Sequence, residues 1–310
     1  VISSPSRSSN DSIVAWLLDP SEPGIRYLAS RDLARPKPGA AQLARLRAEV
    51  TERGAGARLL AGYPKGWWGA RGGYQPKYSA AVWKLQALAD LGASGQDARI
   101  AEACERFLEL HVAKDGGFLP WPGYANAGHH CLTGNMARSL LRFGYSTKDE
   151  RVANALDWIV RTQAPDGGWS CWTTKQGTLD SWEGLSALAE VEPRRRTRAM
   201  RDAIDRGAEF YLERRLLHEG APHAPWSWFR YPNHYYYHAL VGLDVLTKLG
   251  CGKDARLDEA FALARSKRLP DGRWPMDKPL RDHVLEPKGE PSRMVTLVAA
   301  RAFRRAGRSL

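Results

Sequence analysis

Cysteine is scarce in this sequence and never paired. Cys104, Cys131, Cys171 and Cys251 are scattered through 310 residues with no Cys-x-x-Cys. That excludes a disulfide-stapled secreted scaffold and suits a reducing compartment. No apolar run approaches the ~20 residues of a membrane span, and no signal-peptide core lies near the start, so a cytoplasmic protein is expected. Nor is there strand-like alternation long enough to argue for a sheet. Acidic residues are the minority, 34 against 46 Lys and Arg, for a net charge of +12. No DNA- or RNA-binding motif accompanies that excess, so nucleic acid is not an expected partner. Its bearers lie on the polar sides of helices, as in 41–49 and 194–206, with one tight cluster at 194–198. A solvated helix face is the plain reading of these residues. Peripheral contact of the basic helices with a membrane or an acidic partner is the other.

What is abundant is tryptophan, 12 residues, and it recurs with glycine at a fixed interval. Gln163-Ala-Pro-Asp-Gly-Gly-Trp169 has a relative at Asp115-Gly-Gly-Phe118, 51 residues upstream from Asp to Asp, and another at Asp271-Gly-Arg-Trp274, 105 downstream. Degenerate copies stand at Glu219-Gly220 with Trp226 and at Gly66-Trp-Trp-Gly69. A period of this length means an array of supersecondary units. Between the loops the same sequence pattern repeats: a mostly apolar helix stopped by Gly92, Gly144 or Gly250, then Asp97, Asp149 or Asp254 capping an amphipathic one. An amphipathic helix has a wet face, whereas one apolar all round must be buried. Concentric rings satisfy both. The spacing predicts inner helices near 24–34, 77–91, 129–143, 178–191, 234–249 and 292–306, with a short helix near 13–18 as the sixth outer one. The fold class is therefore all-α, an (α/α)6 toroid over 13–310, preceded by a flexible polar segment, 1–12. In such a ring the loops deliver the N-termini of the inner helices, with their free N–H groups, to one end around a central cavity.

Trp158-Ile-Val-Arg-Thr-Gln163 together with Gly167-Gly-Trp169 resembles the QW motif of squalene–hopene cyclases and other class II terpenoid cyclases. The resemblance covers roughly residues 60–306. It implies the toroid fold of the terpenoid cyclase and protein prenyltransferase superfamily and a small apolar, isoprenoid-type substrate. The chain lacks the Asp-x-Asp-Asp acid motif and the Asp-Asp-x-x-Asp metal motif of those enzymes, which argues against ordinary squalene cyclisation. His129-His-Cys131 at the start of one inner helix and Asp180 at the start of the next are similar to the zinc ligands of the prenyltransferase β-subunit, with His and Asp exchanged. That likeness implies zinc on His129, Cys131 and Asp180, the alternative being a packed, metal-free rim. If an α-subunit of the prenyltransferase kind is needed, it is not in this chain.

The remaining candidates follow from the rim geometry. His234 and His238, four apart, would share one helix face and titrate near neutrality. Asp180 and Glu183 would cap their helix or, in an aromatic cavity, act as acids. These four are the candidate catalytic residues. Trp68, Tyr78, Trp121, Asn135, Trp172, Trp182, Tyr235 and Arg293 are the candidate substrate contacts, aromatic faces being suited to an apolar or cationic guest. For Arg293 a structural ion pair is the alternative. Three functions stay open: a cyclase-like enzyme using acid or Lewis-acid chemistry, a toroid that binds lipid or protein without catalysis, and a carbohydrate-active α/α barrel with Asp180 and Glu183 as its carboxylate pair.

Overall fold

The computed structural model describes residues 7–63, 68–124, 126–173, 175–219, 224–280 and 285–310. Gly66, Trp67, Gly220, Asp282, His283 and the first six residues of the expected polar lead-in lie outside them. Thirteen α-helices make up the described chain: α1 (Arg7–Leu17), α2 (Pro23–Asp32), α3 (Ala40–Ala48), α4 (Gly54–Leu60), α5 (Ala81–Asp90), α6 (Ala98–His111), α7 (His130–Phe143), α8 (Glu150–Arg161), α9 (Glu183–Glu190), α10 (Arg198–Glu213), α11 (Ala239–Lys248), α12 (Asp258–Ser266) and α13 (Arg293–Arg305). Residues 7–12 of the lead-in are thus helical. The described residues contain no strand, only isolated bridges at loop bases.

The helices form two rings. α5, α7, α9, α11, α13 and α2 pack in succession around an axis, and the ring closes where Gly24, Tyr27 and Leu28 of α2 lie against Leu91 and Gly92, just past α5. Most of their residues are buried, eight of ten in α5 and all but Glu190 in α9. α6, α8, α10 and α12 pack outside them with one buried stripe each, and α1 lies against α2. The ring predicted from the sequence is the ring observed. Asp97, Asp149 and Asp254 accept from the backbone N–H two residues on and ion-pair with the arginine at that position. Gly144 and Gly250 close their helices in the left-handed conformation.

The inner helices begin late. α5, α9 and α11 start at Ala81, Glu183 and Ala239 because the preceding residues are held in the loops. One backbone bond recurs: the carbonyl of the loop aromatic accepts from the residue entering the next inner helix. The pairs are Trp68 with Ala81, Phe118 with His129, Trp169 with Thr178, Trp226 with Ala239 and Trp274 with Ser292. At two loops an aspartate braces the turn: Asp115 accepts from the N–H groups of Gly117 and Gly128, and Asp166 from those of Gly168 and Gly177. The strands of each loop touch through glycine alone. A Cβ on Gly177 would stand 2.4 Å from the Cα of Gly168. Gln163 donates to Gly167 O at 2.7 Å and Ala203 O at 2.8 Å, tying loop to outer helix. Trp169, fully buried, fits because Gly184 of α9 and Gly207 of α10 lie against its indole.

At their C-terminal ends the inner helices are joined by charge. Asp90 of α5 meets Arg142 of α7, which reaches Glu190 of α9 at 2.6 Å, which accepts from Lys248 of α11 at 2.6 Å. Asp244 of α11 holds Arg301 of α13 at 2.6 Å, and Arg301 reaches Asp32 of α2 at 3.3 Å. This belt links all six helices. Three of its carboxyls are held below their ordinary range against the upward pull of burial, Asp32 to about 2 by the Arg31 and Arg301 guanidinium groups, Glu190 and Asp244 by Arg142 and Arg301.

Two predictions follow from this architecture. Gly177→Ala should lower stability by about 2 kcal/mol in urea unfolding through overpacking against backbone, whereas Gly39→Ala, where a Cβ meets nothing within 4 Å, should change it by less than about 0.5 kcal/mol. An equal effect at both positions would disprove the close approach. Because Asp32 is depressed from 3.8 to about 2, its stabilisation is complete above pH 4 and is lost as pH falls through 2. Asp32→Asn should remove about 2 kcal/mol at pH 7 and flatten the acid limb of the unfolding curve.

Candidate functional site

The loops that enter α5, α7, α9 and α11 enclose a cavity of about 790 Å³ at the N-terminal end of the barrel. Tyr74, Trp121, Tyr124, Trp172 and Tyr235 supply its aromatic wall, and Lys77, Asp180 and Glu219 its charged groups. Trp172 stands at the edge, 88% exposed. Trp121 stacks edge-on with Tyr124, ring centres 4.4 Å apart, and Arg71 lies over its other side at 4.4 Å. Tyr235 is held by the hydroxyl of Tyr78 and faced by Lys77 at 5.3 Å from its ring.

In this cavity three ligand-type side chains converge. A ring nitrogen of His129 and the sulfurs of Cys131 and Cys171 all lie within 4.8 Å of one another. His129 precedes α7 and Cys131 lies in its first turn, while Cys171 comes from the loop after Trp169. His129 Nδ1 is 3.3 Å from Cys131 Sγ, and the Cys131 N–H donates to Cys171 Sγ at 3.3 Å. The Cys131 thiol and His129 together hold the Cys171 thiol well below its ordinary range. Cys131, as donor to a neighbouring thiolate and buried, is pushed up, and Cys171 raises His129. The next residue, His130, is driven down to about 4 by burial, its ring 4.6 Å from that of Trp158.

Asp180 does not join this group. Its Oδ1 accepts from Trp226 Nε1 at 3.1 Å, which turns the carboxylate toward the far wall. The third member is Cys171, a residue the sequence reasoning passed over. Its position five residues after Asp166, in a loop already assigned to the rim, was the available signal.

The two histidines of the Tyr-rich stretch are not on one helix face. Both precede α11, and His234 sits at φ +48 in a left-handed turn. The turn presses Tyr235 onto Tyr78 and buries His234 and His238, each 2% exposed. His234 Nδ1 meets Gln86 Oε1 at 3.1 Å and its carbonyl accepts from Asn135 at 2.9 Å. His238 Nε2 accepts from the Arg230 N–H at 3.4 Å, and burial drives its pKa down to about 3. Neither lines the N-terminal cavity.

The substrate-contact candidates divide. Trp121, Trp172 and Tyr235 line the cavity. Trp68 and Tyr78 stand behind the wall, Trp68 through its carbonyl on α5 and Tyr78 through its hydroxyl on Tyr235. Asn135 is spent within the barrel on His234 and Arg138. Trp182 faces the barrel axis under the Arg138 guanidinium, 4.7 Å away. Arg293 lies outside: it donates to the Trp16 carbonyl, stacks on that ring at 4.6 Å and pairs with Asp19 at 3.7 Å. Its role is the structural ion pair.

Glu183 opens α9 and is 1% exposed. Neither carboxylate oxygen finds a partner in another residue, and burial raises its pKa well above 4.5, the nearby Cys171 adding to the shift. Asp180 lines the cavity and Glu183 does not, so these two do not form a carboxylate pair there; the second carboxylate of the lining is Glu219.

No known family matches the sequence, and no curated protein does. Among solved structures, a protein from Actinoplanes is 17% identical over 97% of this chain and 99% of its own, with a TM-score of 0.51. The two share a fold. The type II terpene cyclase MstE_R337A from Scytonema, in complex with geranylgeranyl dihydroxybenzoate, is 16% identical over 96% of both chains at a TM-score of 0.49, and apo MstE 16% identical at 0.48.

Proposed function

We propose that this chain is a terpenoid cyclase-like enzyme that takes an apolar, isoprenoid-type molecule into the N-terminal cavity and activates it there with an acid or a Lewis acid. The observation that carries this reading is the convergence of His129, Cys131 and Cys171 on an aromatic-walled space of about 790 Å³, within the usual range of small-molecule sites. One imidazole and two thiols on a cavity wall are the donor set of a three-ligand zinc site with an open position. The residues fit the metal. When bound, zinc at such a site supplies a Lewis acid that polarises a substrate oxygen or sulfur.

The chain's own groups account for the rest. Tyr74, Trp121 and Tyr235 give a guest an apolar seat, and their ring faces favour positive charge developing on it. Trp172 covers the edge and limits water. Asp180, oriented by Trp226, is the carboxylate placed to take or give a proton at the cavity wall. Glu183, its carboxyl raised by burial, lies behind the lining, whose charged groups are Lys77, Asp180 and Glu219.

Two measurements test this reading. Elemental analysis of chelator-washed, zinc-reconstituted protein should give about one zinc per chain for wild type and for Asp180→Asn, and none for Cys171→Ser. Zinc retained by Cys171→Ser, or absent from wild type, would sink the metal assignment. Glu183→Gln keeps the side-chain shape and removes its titration. A carboxyl raised in the fold stabilises most below its unfolded value of 4.5 and loses that contribution as pH rises above it. Relative to the variant, wild type should therefore lose about 1.4 kcal/mol per pH unit from pH 4.5 upward until the folded group ionises. Parallel urea midpoints at pH 5 and 8 would contradict the raised carboxyl.

A further inference from the structure

A second cavity, about 390 Å³, runs along the barrel axis from its middle to the C-terminal end. Its lining carries seven arginines and Lys248 against four carboxylates, an excess of four positive charges. At the C-terminal end those cations are committed to the ion-pair belt. Deeper, they are held more loosely. Arg230, 5% exposed, pairs with no carboxylate among the described residues and rests over the Tyr236 ring at 4.2 Å. Arg138, 4% exposed, reaches Asp90 at 3.5 Å and Asn135 Oδ1 at 3.1 Å, but its Nε has no partner. Nor does Arg230 Nε, Trp182 Nε1 or His238 Nδ1. All four residues line this one cavity. His238 Nε2 lies 3.1 Å from Asn233 Oδ1, an acceptor, and 3.4 Å from the Arg230 N–H, so its contacts do not fix the ring proton on Nδ1; the three orphans that are donors in either tautomer are Arg138 Nε, Arg230 Nε and Trp182 Nε1.

A buried donor left unmade costs about 1–3 kcal/mol, and one acceptor-rich group would relieve all three. The donors arrive from α7, from the turn before α9 and from the stretch before α11, so they do not lie in one plane. A carboxylate offers two coplanar oxygens. A phosphate offers its acceptors in a tetrahedron, and the arginine fork suits it. The partial negative charge of six helix C-termini and the belt carboxylates would oppose an anion near the mouth. One of those carboxylates, Asp90, stands 3.5 Å from Arg138, and the excess of four cations along the lining offsets it. Below the arginines the walls turn apolar, with Leu240, Val241, Met294 and Val298. Arg31, its side chain 43% exposed, marks the mouth.

We propose that the axial cavity is a second ligand site, separate from the cavity of His129 and Cys171, that binds a phosphate group on Arg138, Arg230 and Trp182, either as the free ion or as the head of a small phosphomonoester. This does not rest on the function proposed above. Calorimetric titration of the purified protein in chloride buffer, with inorganic phosphate and separately with glycerol phosphate, tests it, acetate serving as the planar control. The expected result is saturable one-to-one binding of phosphate or the ester, at least about tenfold weaker in Arg230→Gln, and little response to acetate. Val241→Glu seats a carboxylate on the same axis and should also abolish binding. If Arg230→Gln proves unstable, that variant carries the test. Cys171→Ser should bind as wild type does. Binding of the free ion assigns an inorganic anion site, and binding of the ester alone assigns a phosphorylated small molecule; either supports the proposal. No heat from either ligand at millimolar concentration would overturn it, as would equal binding by Arg230→Gln and Val241→Glu or loss of binding in Cys171→Ser.

Discussion

Every inner helix of this barrel must begin in a crowded place, and the backbone bond from a loop aromatic to the residue entering the helix is what permits it. A helix start exposes unsatisfied N–H groups, and five loops answer that need in the same way, with the carbonyls of Trp68, Phe118, Trp169, Trp226 and Trp274. The bond fixes the distance between the end of an outer helix and the start of the next inner one. The aspartates at 115 and 166 and the bare glycine contacts at 117–128 and 168–177 keep it short. The aromatic side chain is then carried under the loop into the layer between the rings, where Trp169 and Trp274 are fully buried and bond to carbonyls of α8 and α12. One local motif thus sets helix spacing and the orientation of five of the six N-termini.

That orientation gives the barrel two unlike ends. At the N-terminal end the loops hold side chains off the axis and leave a wide space walled by aromatic rings, with thiols and one imidazole at its base. At the other end the last turns of the helices approach, and charged groups fill the gap: Asp32, Asp90, Arg142, Glu190, Lys248 and Arg301. Breaking one partner of such a buried pair typically costs about 3–5 kcal/mol, so the belt closes the ring where loops do not. The wide end remains free to be shaped by loop residues without loss of the ring. A chemistry site belongs where side chains can vary around a fixed frame.

Much of this frame could be read from the residues, because its causes are local. The Asp-x-Arg caps, the glycine stops and the contrast between all-apolar and one-sided helices each act within a few residues, and chain order alone then arranges the ring. The candidate site was legible only in part. His129 and Cys131 stand where the helix start puts them, but Cys171 was passed over because a loop sulfur's direction depends on the fold of the turn. The pairing of His234 with His238 presumed a helix that begins five residues later than His234, after a left-handed turn that presses Tyr235 onto Tyr78. Arg293 was placed at the rim by position, but Trp16 and Asp19 of the chain's first turns, nearly the whole sequence away, claim it. The belt left a trace that went unread: almost every inner helix is apolar until its last turns and then ends in a charge.

The polar groups that nothing satisfies are also unevenly placed, and their placement bears on what the barrel is for. A closed ring of six helices needs no polar group at its centre, and Leu or Met at 138, 182 or 230 would fill space at no electrostatic cost. Instead Arg138, Trp182, Arg230 and His238 gather in one layer between the aromatic cavity and the ion belt, with Glu183 beside Arg138 and carrying the same deficit. Satisfied groups hold a fold together; these groups draw against it. Stability alone gives little reason to keep them, since Trp182, Arg230 and His238 take no part in the loop bonds or the belt and Arg138 meets the belt only through Asp90 at 3.5 Å. A site that must accept and release a polar molecule does give one, because its donors have to be unmatched whenever the molecule is absent. The barrel is braced at both ends by interactions independent of that layer, which is what allows the layer to remain unsatisfied.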